Sequence, residues 1–275
     1  MPEGPEVKII GEQLSSILSD KTLVELKILS GKYTGKCQLL NYQQFSKSLP
    51  LKINKIETKG KLIYFILEDG WYLFNTLGMS GTYSDKFTKH CHLEFIFCDP
   101  NKNSPKCQLW FYDVRRFGNM YCSQDPKFIQ QKLDSIGPDM LSKPPTQKEF
   151  IDIYRKRNKI NICKVLMDQS QVSGCGNYLK AEILYDCKIS PWHIVEELSD
   201  VQLIKLYQSF KKIISKSYQH QGTTLATYKD VQGVKGNFSN MLKVYKKETT
   251  PSDEVVIREK TPDGRSTFWV PSIQL

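Results

Sequence analysis

The sequence lacks the long apolar stretches that mark membrane and secreted proteins. Its 275 residues contain no run of 18 apolar residues, and the N-terminus has neither the basic start nor the apolar core of a signal peptide. These absences argue against a transmembrane anchor and against secretion. We therefore expect an intracellular protein with no membrane partner.

Cysteine pairs with metal-binding spacing are also absent. The chain has eight cysteines, yet no two of them form a C-x-x-C pair and none lies beyond Cys187. This spacing gives no structural zinc site, and a reducing compartment disfavours a disulfide framework. We expect free thiols in apolar surroundings, with no bound metal and no cofactor.

Arginine is scarce in a chain that is otherwise rich in positive charge. Only six of the 39 basic residues are arginine, and the 29 acidic residues leave a net charge of +10. A balance of this size is typical of a nucleic-acid partner, although an acidic protein surface or an anionic membrane would also fit. Because a guanidinium forms paired planar hydrogen bonds that an ammonium cannot, the few arginines are candidate recognition residues.

The apolar pattern divides the chain into a mixed first half and a helical second half. Helical spacing over Val7–Leu18 precedes strand-like runs that continue to Met120, and the clearest hairpin is Leu62–Phe74. The length and the 40% apolar composition suit one large domain or two ordinary ones. We expect an α+β fold whose first half contains a helix and an antiparallel sheet.

The second half begins after a polar, proline-containing connection between about Cys122 and Lys148. Two helices meet across the stretch DQSQVSGCGN, with Asn177 expected as the N-cap of the second, and a third helix covers about Ser199 to Tyr218. Two strand-like runs around the turn Pro262-Asp263-Gly264 close the chain. The predicted segments are a first domain at 1–125, a linker at 126–148, a helical domain at 149–240 and a hairpin at 241–275.

The opening MPEGPEV supports two interpretations. Structurally, Pro2 and Pro5 suit the first turn of a helix, where a missing N–H costs nothing, and Glu3 and Glu6 suit its positive end. Chemically, removal of Met1 would expose the secondary amine of Pro2, and a free α-amine has a pKa of about 7.7 to 8.0, so that part of it is neutral near pH 7. Attack of this amine on an aldehyde-level carbon gives an iminium ion, and Glu3 can transfer the protons.

Six motifs carry a family resemblance across the chain: MPEGPEV, IETKGK, LGMSG, DVRRFG, LMDQ…GCGNYLKAEIL and KVYKK…DGRSTFWV. In this order and spacing they resemble the formamidopyrimidine-DNA glycosylase and endonuclease VIII family. The resemblance implies an α+β fold with an N-terminal helix and antiparallel β-sandwich, a helix–two-turns–helix domain and a C-terminal β-hairpin finger. It also implies a base-excision enzyme, both DNA glycosylase and AP lyase, that flips a damaged base out of DNA.

The resemblance implies five residues for the chemistry. Mature Pro2 attacks the sugar C1′ atom, displaces the base and forms a Schiff base that undergoes β,δ-elimination, while Glu3 transfers protons. Glu6 matches a second carboxylate near the nucleophile, and a plain helix-end charge is its alternative. Lys61 matches a hairpin lysine that contacts the phosphate beside the lesion, and Arg265 keeps the place of the finger arginine.

Further residues are implied to bind DNA. Met79, Arg115 and Phe117 match three side chains that fill the space left by the everted nucleotide, although Met79 and Phe117 taken alone would suit a core. Arg116 would hold a phosphate. A turn that can bind another phosphate through bare amides and an asparagine side chain is formed by Gly174, Gly176 and Asn177.

The C-terminal finger departs from the family pattern. Many members close with four zinc-binding cysteines, which are missing here, so the chain resembles endonuclease-VIII-like members with a zincless finger. We expect strand pairing and the aromatic residues Phe268 and Trp269 to hold this hairpin. The implied partner is damaged double-stranded DNA, with single-stranded DNA left open, bound by a monomer. In a eukaryotic host the protein would be nuclear.

The lesion has two alternatives. PEGPE, ETKGK and GNYL lean toward endonuclease VIII, and we favour oxidised pyrimidines, together with ring-opened purines and hydantoins. LGMSG and RRFG lean toward formamidopyrimidine-DNA glycosylase, and a loop at Tyr228 to Asn240 could cap a flipped purine, so 8-oxoguanine is the alternative substrate. Among other classes, a non-catalytic DNA-binding module would not need a processable Met1-Pro2-Glu3, and a two-metal nuclease would need an acidic cluster that the sequence lacks.

Overall fold

A computed structural model describes residues 2–34, 39–99, 107–223 and 236–275, and the chain in it divides into two units. The first unit comprises Met1–Pro2, Glu6–Asp134 and Thr223–Gly236. The second unit comprises Glu3–Pro5, Ser135–Gly222 and Asn237–Leu275. Each unit therefore draws on several stretches of the sequence.

The first unit contains an eight-stranded antiparallel sheet. Its strands are β1 (Thr22–Ile28), β2 (Leu51–Lys59), β3 (Leu62–Leu67), β4 (Tyr72–Thr76), β5 (Thr82–Ser84), β6 (Cys91–Cys98), β7 (Cys107–Tyr112) and β8 (Asn119–Ser123). They lie in the order β5-β7-β6-β1-β2-β3-β4-β8. The helices are α1 (Gly4–Leu18, in this unit from Glu6 onward), α2 (Tyr42–Ser48) and α3 (Pro126–Asp134).

The sheet folds over on itself and forms the expected sandwich. Four strands separate β3 from β5 in the sheet order, so a flat sheet would hold them about 24 Å apart, at about 4.8 Å per strand. The ring centroids of Phe65 on β3 and Tyr83 on β5 are nevertheless only 6.3 Å apart. Tyr83 also meets Phe95 at 5.9 Å and Phe111 at 5.6 Å. The two halves of the sheet thus enclose one apolar core.

Helix α1 buries the apolar stripe that the sequence predicted. Val7, Ile10, Leu14 and Leu18 are each at most 1% exposed and belong to the core of the sheet. Burial of each such side chain stabilises the fold by about 1.5 to 3 kcal/mol. The helix begins at Gly4, three residues before the predicted stripe.

A helix occupies the start of the segment that the sequence presented as a linker. Asp125 caps α3 by accepting a hydrogen bond from the Lys127 amide at 2.9 Å, and Pro126 follows at the first helical position. Ile129 is 8% exposed and anchors the helix. The polar residues at the start of this segment thus form one face of a short amphipathic helix. The bounds of the predicted domains remain a prediction.

The second unit combines helices with a short hairpin. The helices are α4 (Gln147–Arg155), α5 (Ile162–Met167), α6 (Asn177–Asp186) and α7 (Asp200–Gln219), and the strands are β9 (Ile257–Lys260) and β10 (Ser266–Trp269). The helix–turn–helix pair expected on both sides of the GCGN motif is α5 and α6. The expected C-terminal hairpin is the antiparallel pair β9 and β10.

Side-chain caps explain most of these helix starts, with one correction. Ser199 caps α7 by accepting from the Gln202 amide at 3.3 Å, as the predicted start implies. The prediction that Asn177 caps α6 is wrong, because Gly176 is the cap and Asn177 is the first helical residue. Within the described part of the chain, no helix combines the length and the apolarity needed to cross a membrane.

Candidate functional site

The carboxylate of Glu3 lies at the N-terminus of helix α6 in the second unit. Glu3 is 1% exposed, and its Oε1 accepts a hydrogen bond from the Tyr178 amide at 2.9 Å. Its Oε2 accepts from the Leu179 amide at 3.2 Å. Both oxygens therefore bind first-turn amides, where the helix dipole stabilises negative charge. This arrangement fixes the position of the carboxylate.

Three glycines make room for this arrangement. A Cβ atom on Gly176 would lie 2.2 Å from the Glu3 carboxyl carbon, so only glycine leaves space for the carboxylate. Gly4 donates its amide to the Gly174 carbonyl at 2.8 Å, and a Cβ on Gly4 would lie 2.9 Å from the Gly174 Cα. Gly174 itself has φ +104°, a conformation that favours glycine. The PEG and GCGN motifs are thus two sides of one contact.

The turn before α6 differs from the expectation of bare amides. The Tyr178 and Leu179 amides already bind Glu3, and the Gly174 amide donates to Gln169 Oε1 at 3.0 Å. The Asn177 side chain is also engaged, because its Nδ2 donates to the Ser266 carbonyl at 2.9 Å. The sequence did not anticipate these partners, and Glu3 and Ser266 lie far from the turn along the chain.

Arg265 is exposed on the turn of the β9–β10 hairpin and directly precedes Ser266. The bond from Asn177 to Ser266 therefore brings the predicted finger arginine next to the start of α6. Glu3, Gly174, Gly176, Asn177 and Arg265 thus form one group in the second unit.

Two other predicted residues, Pro2 and Glu6, belong to the first unit. Pro2 is buried. Glu6 is 0% exposed, and its Oε1 accepts from the Thr223 amide at 2.7 Å and from the Thr223 hydroxyl at 3.2 Å. Glu6 lies in the first turn of α1, where the helix-end alternative puts it, and it is buried and hydrogen-bonded there. Glu6 fixes the chain where the described residues stop at Thr223, and residues 228–235 of the proposed capping loop lie outside them.

The three predicted gap-filling side chains lie on two neighbouring loops of the first unit. Met79 is 38% exposed and Phe117 is 57% exposed, so core packing does not account for them. Arg115 Nη1 lies 3.1 Å from Met79 Sδ. Arg116 is exposed and has φ +59°, a strained conformation for a residue with a side chain.

A residue that the sequence analysis missed, Asp113, joins these two loops. It is 1% exposed, and its Oδ1 accepts from the Ser80 hydroxyl at 2.5 Å and from the Arg115 amide at 3.2 Å. Its Oδ2 accepts from the Gly118 amide at 2.7 Å. The sequence offered one signal for this role. An aspartate side chain commonly accepts a hydrogen bond from the backbone amide two residues further on, and Arg115 is in that position.

Lys61 lies in the two-residue connection between β2 and β3, as the hairpin motif implied. Gly60 precedes it with φ +57°, which lets the strands reverse tightly. Lys61 is partly exposed. It is therefore placed on a hairpin of the first unit, on a different loop from Met79 and Phe117.

Comparison with known proteins decides the family. The model of the formamidopyrimidine-DNA glycosylase N-terminal domain matches residues 1–120, and that of the formamidopyrimidine-DNA glycosylase H2TH domain matches residues 136–229. A formamidopyrimidine-DNA glycosylase of Lactobacillus gasseri is 30% identical over 286 residues, which cover 100% of this chain and 99% of that protein. The chain belongs to the formamidopyrimidine-DNA glycosylase family. Its members are DNA glycosylases with AP lyase activity that act in base excision repair.

Solved structures of the same family agree over nearly the whole chain. A Lactococcus lactis Fpg mutant in complex with a Fapy-dG containing DNA superposes with a TM-score of 0.86 at 26% identity, covering 99% of both chains. The complex between Lactococcus lactis Fpg and an abasic site containing DNA gives 0.84 at 26% identity, with 99% of both chains covered. The α+β fold, the enzymatic class and damaged DNA as the partner, all expected from the sequence, are thereby confirmed.

Two expectations change with the family assignment. The relatives are named for formamidopyrimidine, which favours the alternative substrate class of the sequence analysis over oxidised pyrimidines. They are also bacterial, so the conditional expectation of a nuclear location receives no support. The rival of a non-catalytic DNA-binding module is set aside by membership of an enzyme family.

The finger hairpin is held by packing and by buried polar groups. Phe268 meets Tyr245 with ring centroids 5.2 Å apart, and Trp269 donates its indole N–H to Glu259 at 2.8 Å. Glu182, which the sequence analysis missed, is 2% exposed and accepts from the consecutive amides of Lys243, Val244 and Tyr245 at 2.9 to 3.0 Å. Burial raises the pKa of Glu182 although these amides oppose the shift. In the described ranges, no group of three potential metal ligands occurs.

Proposed function

We propose that the chain removes ring-opened and oxidised purines, the formamidopyrimidine and 8-oxoguanine class, from DNA through a Schiff base on Pro2. The observation that carries the proposal is the fixed Glu3 carboxylate at the start of α6, adjacent in sequence to the proline. A carboxylate held by two amides, beside a secondary amine, is the pair that amine catalysis with proton transfer requires.

The proposed reaction begins after removal of Met1. The lone pair of the neutral Pro2 nitrogen forms a bond to C1′ while the bond between C1′ and the base breaks, and the leaving base takes a proton from water. The Pro2 nitrogen then gives its own proton to the Glu3 carboxylate. Glu3 passes this proton to the ring oxygen, so that the bond from C1′ to the ring oxygen breaks and the iminium ion forms. Loss of a C2′ proton then expels the 3′ phosphate, a second elimination expels the 5′ phosphate, and water releases the amine.

The remaining predicted residues would hold the DNA. Lys61, Arg116 and Arg265 would contact phosphates. Asn177 would join them through the second hydrogen of its Nδ2, since the first binds the carbonyl of Ser266, the residue after Arg265. Met79, Arg115 and Phe117 would fill the space of the everted nucleotide. The exposure of Met79 and Phe117 supports this role, since exposed large apolar side chains next to one another mark a binding surface.

The choice of purine lesions rests on the relatives. The Lactobacillus and Desulfitobacterium proteins carry the name formamidopyrimidine-DNA glycosylase, and a neighbouring structure holds a Fapy-dG containing DNA. Oxidised pyrimidines, which the sequence analysis favoured, become the competing substrates of the test. Hydantoins remain secondary candidates.

A single-turnover excision assay tests the proposal. Matched duplexes carrying formamidopyrimidine-guanine, 8-oxoguanine, thymine glycol or dihydrouracil are compared with wild type, Glu3→Gln and the exposed control Glu196→Gln. We expect the purine lesions to be excised at least about tenfold faster than the pyrimidines, and Glu3→Gln to slow excision by roughly 10² to 10⁴-fold, the usual worth of general acid–base catalysis. Faster excision of the pyrimidines would overturn the substrate class, and an undiminished rate in Glu3→Gln would overturn the role of Glu3.

A further inference from the structure

The backbone around Arg265 is held by buried polar groups although its side chain is exposed. The Thr261 amide donates to the Arg265 carbonyl at 3.0 Å, and the Thr261 hydroxyl donates to Asp263 Oδ1 at 2.6 Å. The Arg265 amide lies 3.4 Å from the same Asp263 oxygen. Gly264 has φ +78°, which favours glycine, and its amide donates to the Thr261 carbonyl at 2.9 Å. One oxygen of Asp263 therefore organises the turn that carries Arg265.

The other oxygen of Asp263 ties this turn to helix α6. Asp263 Oδ2 lies 2.5 Å from Lys180 Nζ, and the two side chains are 4% and 0% exposed. Lys180 follows Asn177 by three residues and so lies on the same face of the helix. Asn177 in turn binds the Ser266 carbonyl. Helix α6 thus binds the hairpin on both sides of Arg265, through Asp263 and through Ser266.

We propose that the buried ion pair of Lys180 and Asp263 positions Arg265 for its DNA phosphate without touching the DNA. The inference rests on the proposed phosphate contact of Arg265. A buried ion pair stabilises a fold little more than well-packed apolar residues would, because the cost of desolvating the two charges offsets their attraction. It does, however, fix the orientation of the two side chains relative to each other. Preorganising the turn in this way would reduce the entropy lost when the guanidinium binds.

The charge state agrees with this role. Burial alone would raise the pKa of Asp263, but hydrogen bonds from Lys180 and Thr261 outweigh it, and the pKa of Asp263 lies below its usual range. The carboxylate is therefore ionised at neutral pH and can serve both partners. An amide in its place has only one acceptor oxygen, so Asp263→Asn could no longer accept both from Lys180 and from the Arg265 amide.

The sign of the effect on DNA binding separates positioning from simple electrostatics. Removing a negative charge two residues from Arg265 should by itself tighten the binding of a polyanion. Positioning predicts the opposite, because Arg265 would lose its fixed turn. Asp253→Asn is the matched control, since Asp253 is an exposed aspartate of the same unit.

The test is a double-mutant cycle on binding to a duplex with a tetrahydrofuran abasic-site analogue. We expect Arg265→Ala to raise the Kd about 10- to 100-fold and Asp263→Asn to raise it at least about fivefold. Each should lower the steepness of the salt dependence by about one phosphate contact. In the Arg265→Ala background, Asp263→Asn should change the Kd less than about twofold, because there is no arginine left to position.

A further variant keeps the outcome decisive. Asp263→Asn could be unfolded at the temperature of the binding assay. In that case Lys180→Met/Asp263→Leu is used, which replaces both charges by an apolar pair. This double variant should fold but bind DNA as weakly as Arg265→Ala. Wild-type affinity in either folded variant, or an equal loss with and without Arg265, would overturn the positioning role. Wild-type affinity in Arg265→Ala would instead overturn the proposed phosphate contact itself.

Discussion

The substitution Gly176→Ala should disable the chain through a single methyl group. The backbone at Gly176 has φ −133° and ψ −161°, an extended conformation that alanine adopts without strain. The effect must therefore come from the new Cβ, which would lie 2.2 Å from the Glu3 carboxyl carbon and 2.4 Å from Oε1. Carbon atoms in contact need about 3.5 Å, so the carboxylate has to move by roughly 1.3 Å.

A shift of that size exceeds what the two hydrogen bonds of Glu3 can tolerate. They measure 2.9 and 3.2 Å, already within the normal range of about 2.7 to 3.2 Å. Losing the carboxylate leaves two buried amides unsatisfied, at about 1 to 3 kcal/mol each. We expect Gly176→Ala to lower the free energy of unfolding by about 2 to 6 kcal/mol and to slow base excision by roughly 10² to 10⁴-fold.

The assay pairs urea unfolding with single-turnover excision in a mutant cycle. Glu3→Ala removes the atoms that the methyl group would strike, so Gly176→Ala should cost stability in the wild-type background and almost none in Glu3→Ala. Excision should be equally slow in Glu3→Ala and in the double variant. A Gly176→Ala protein with wild-type stability and activity would refute the contact, and an equal stability loss in both backgrounds would refute its cause.

Three further outcomes follow from the buried groups. Active protein should contain no stoichiometric zinc by elemental analysis and should keep its activity in the presence of a chelator. Burial raises the pKa of Cys163 and Cys187 to about 12 and so disfavours the thiolate that zinc needs. One zinc per chain, lost together with activity, would contradict this. The pKa of Asp263 is lower in the folded protein than its unfolded value of about 3.9, so the ionised carboxylate stabilises the fold above that value, and this contribution is lost as the pH falls through the folded pKa. Between pH 5 and pH 2 the free energy of unfolding should therefore fall more in wild type than in Asp263→Asn. Equal decreases would contradict the lowered pKa of Asp263. Asp113→Asn should lower the unfolding free energy by about 1 to 3 kcal/mol while the exposed control Asp85→Asn changes it little, and equal effects would remove Asp113 from the loop network.

Local patterns explain why much of the fold was predictable. The stripe Val7–Leu18 has helical spacing, and the helix that forms there buries it. The hairpin at Leu62–Phe74 carries its own turn, in which Asp69 has φ +55° and Gly70 has φ +74°. Ser199 stands three residues before Gln202, which is a complete capping signal. Each of these features depends on residues close together in sequence.

Long-range contacts explain what the sequence could not reveal. Lys180 and Asp263 are 83 residues apart, and because lysine and aspartate are usually exposed, the sequence does not indicate that they form a buried pair. Glu3 reaches amides 175 and 176 residues away, so a turn that looked like an open phosphate site is already occupied. The helix α3 was missed because its polar face dominates a short segment with few apolar residues. Such contacts are set by the tertiary fold and leave no local periodicity.

Borohydride trapping shows whether the α-amine of Pro2 is the nucleophile, as we propose. Protein is incubated with a lesion-bearing oligonucleotide under borohydride, the adduct is digested, and peptide mass mapping locates the modified residue. We expect one covalent adduct, on an N-terminal peptide that begins at Pro2, and we expect the adduct to be lost in a protein that retains Met1. An adduct on a lysine, or full trapping with Met1 still attached, would contradict it.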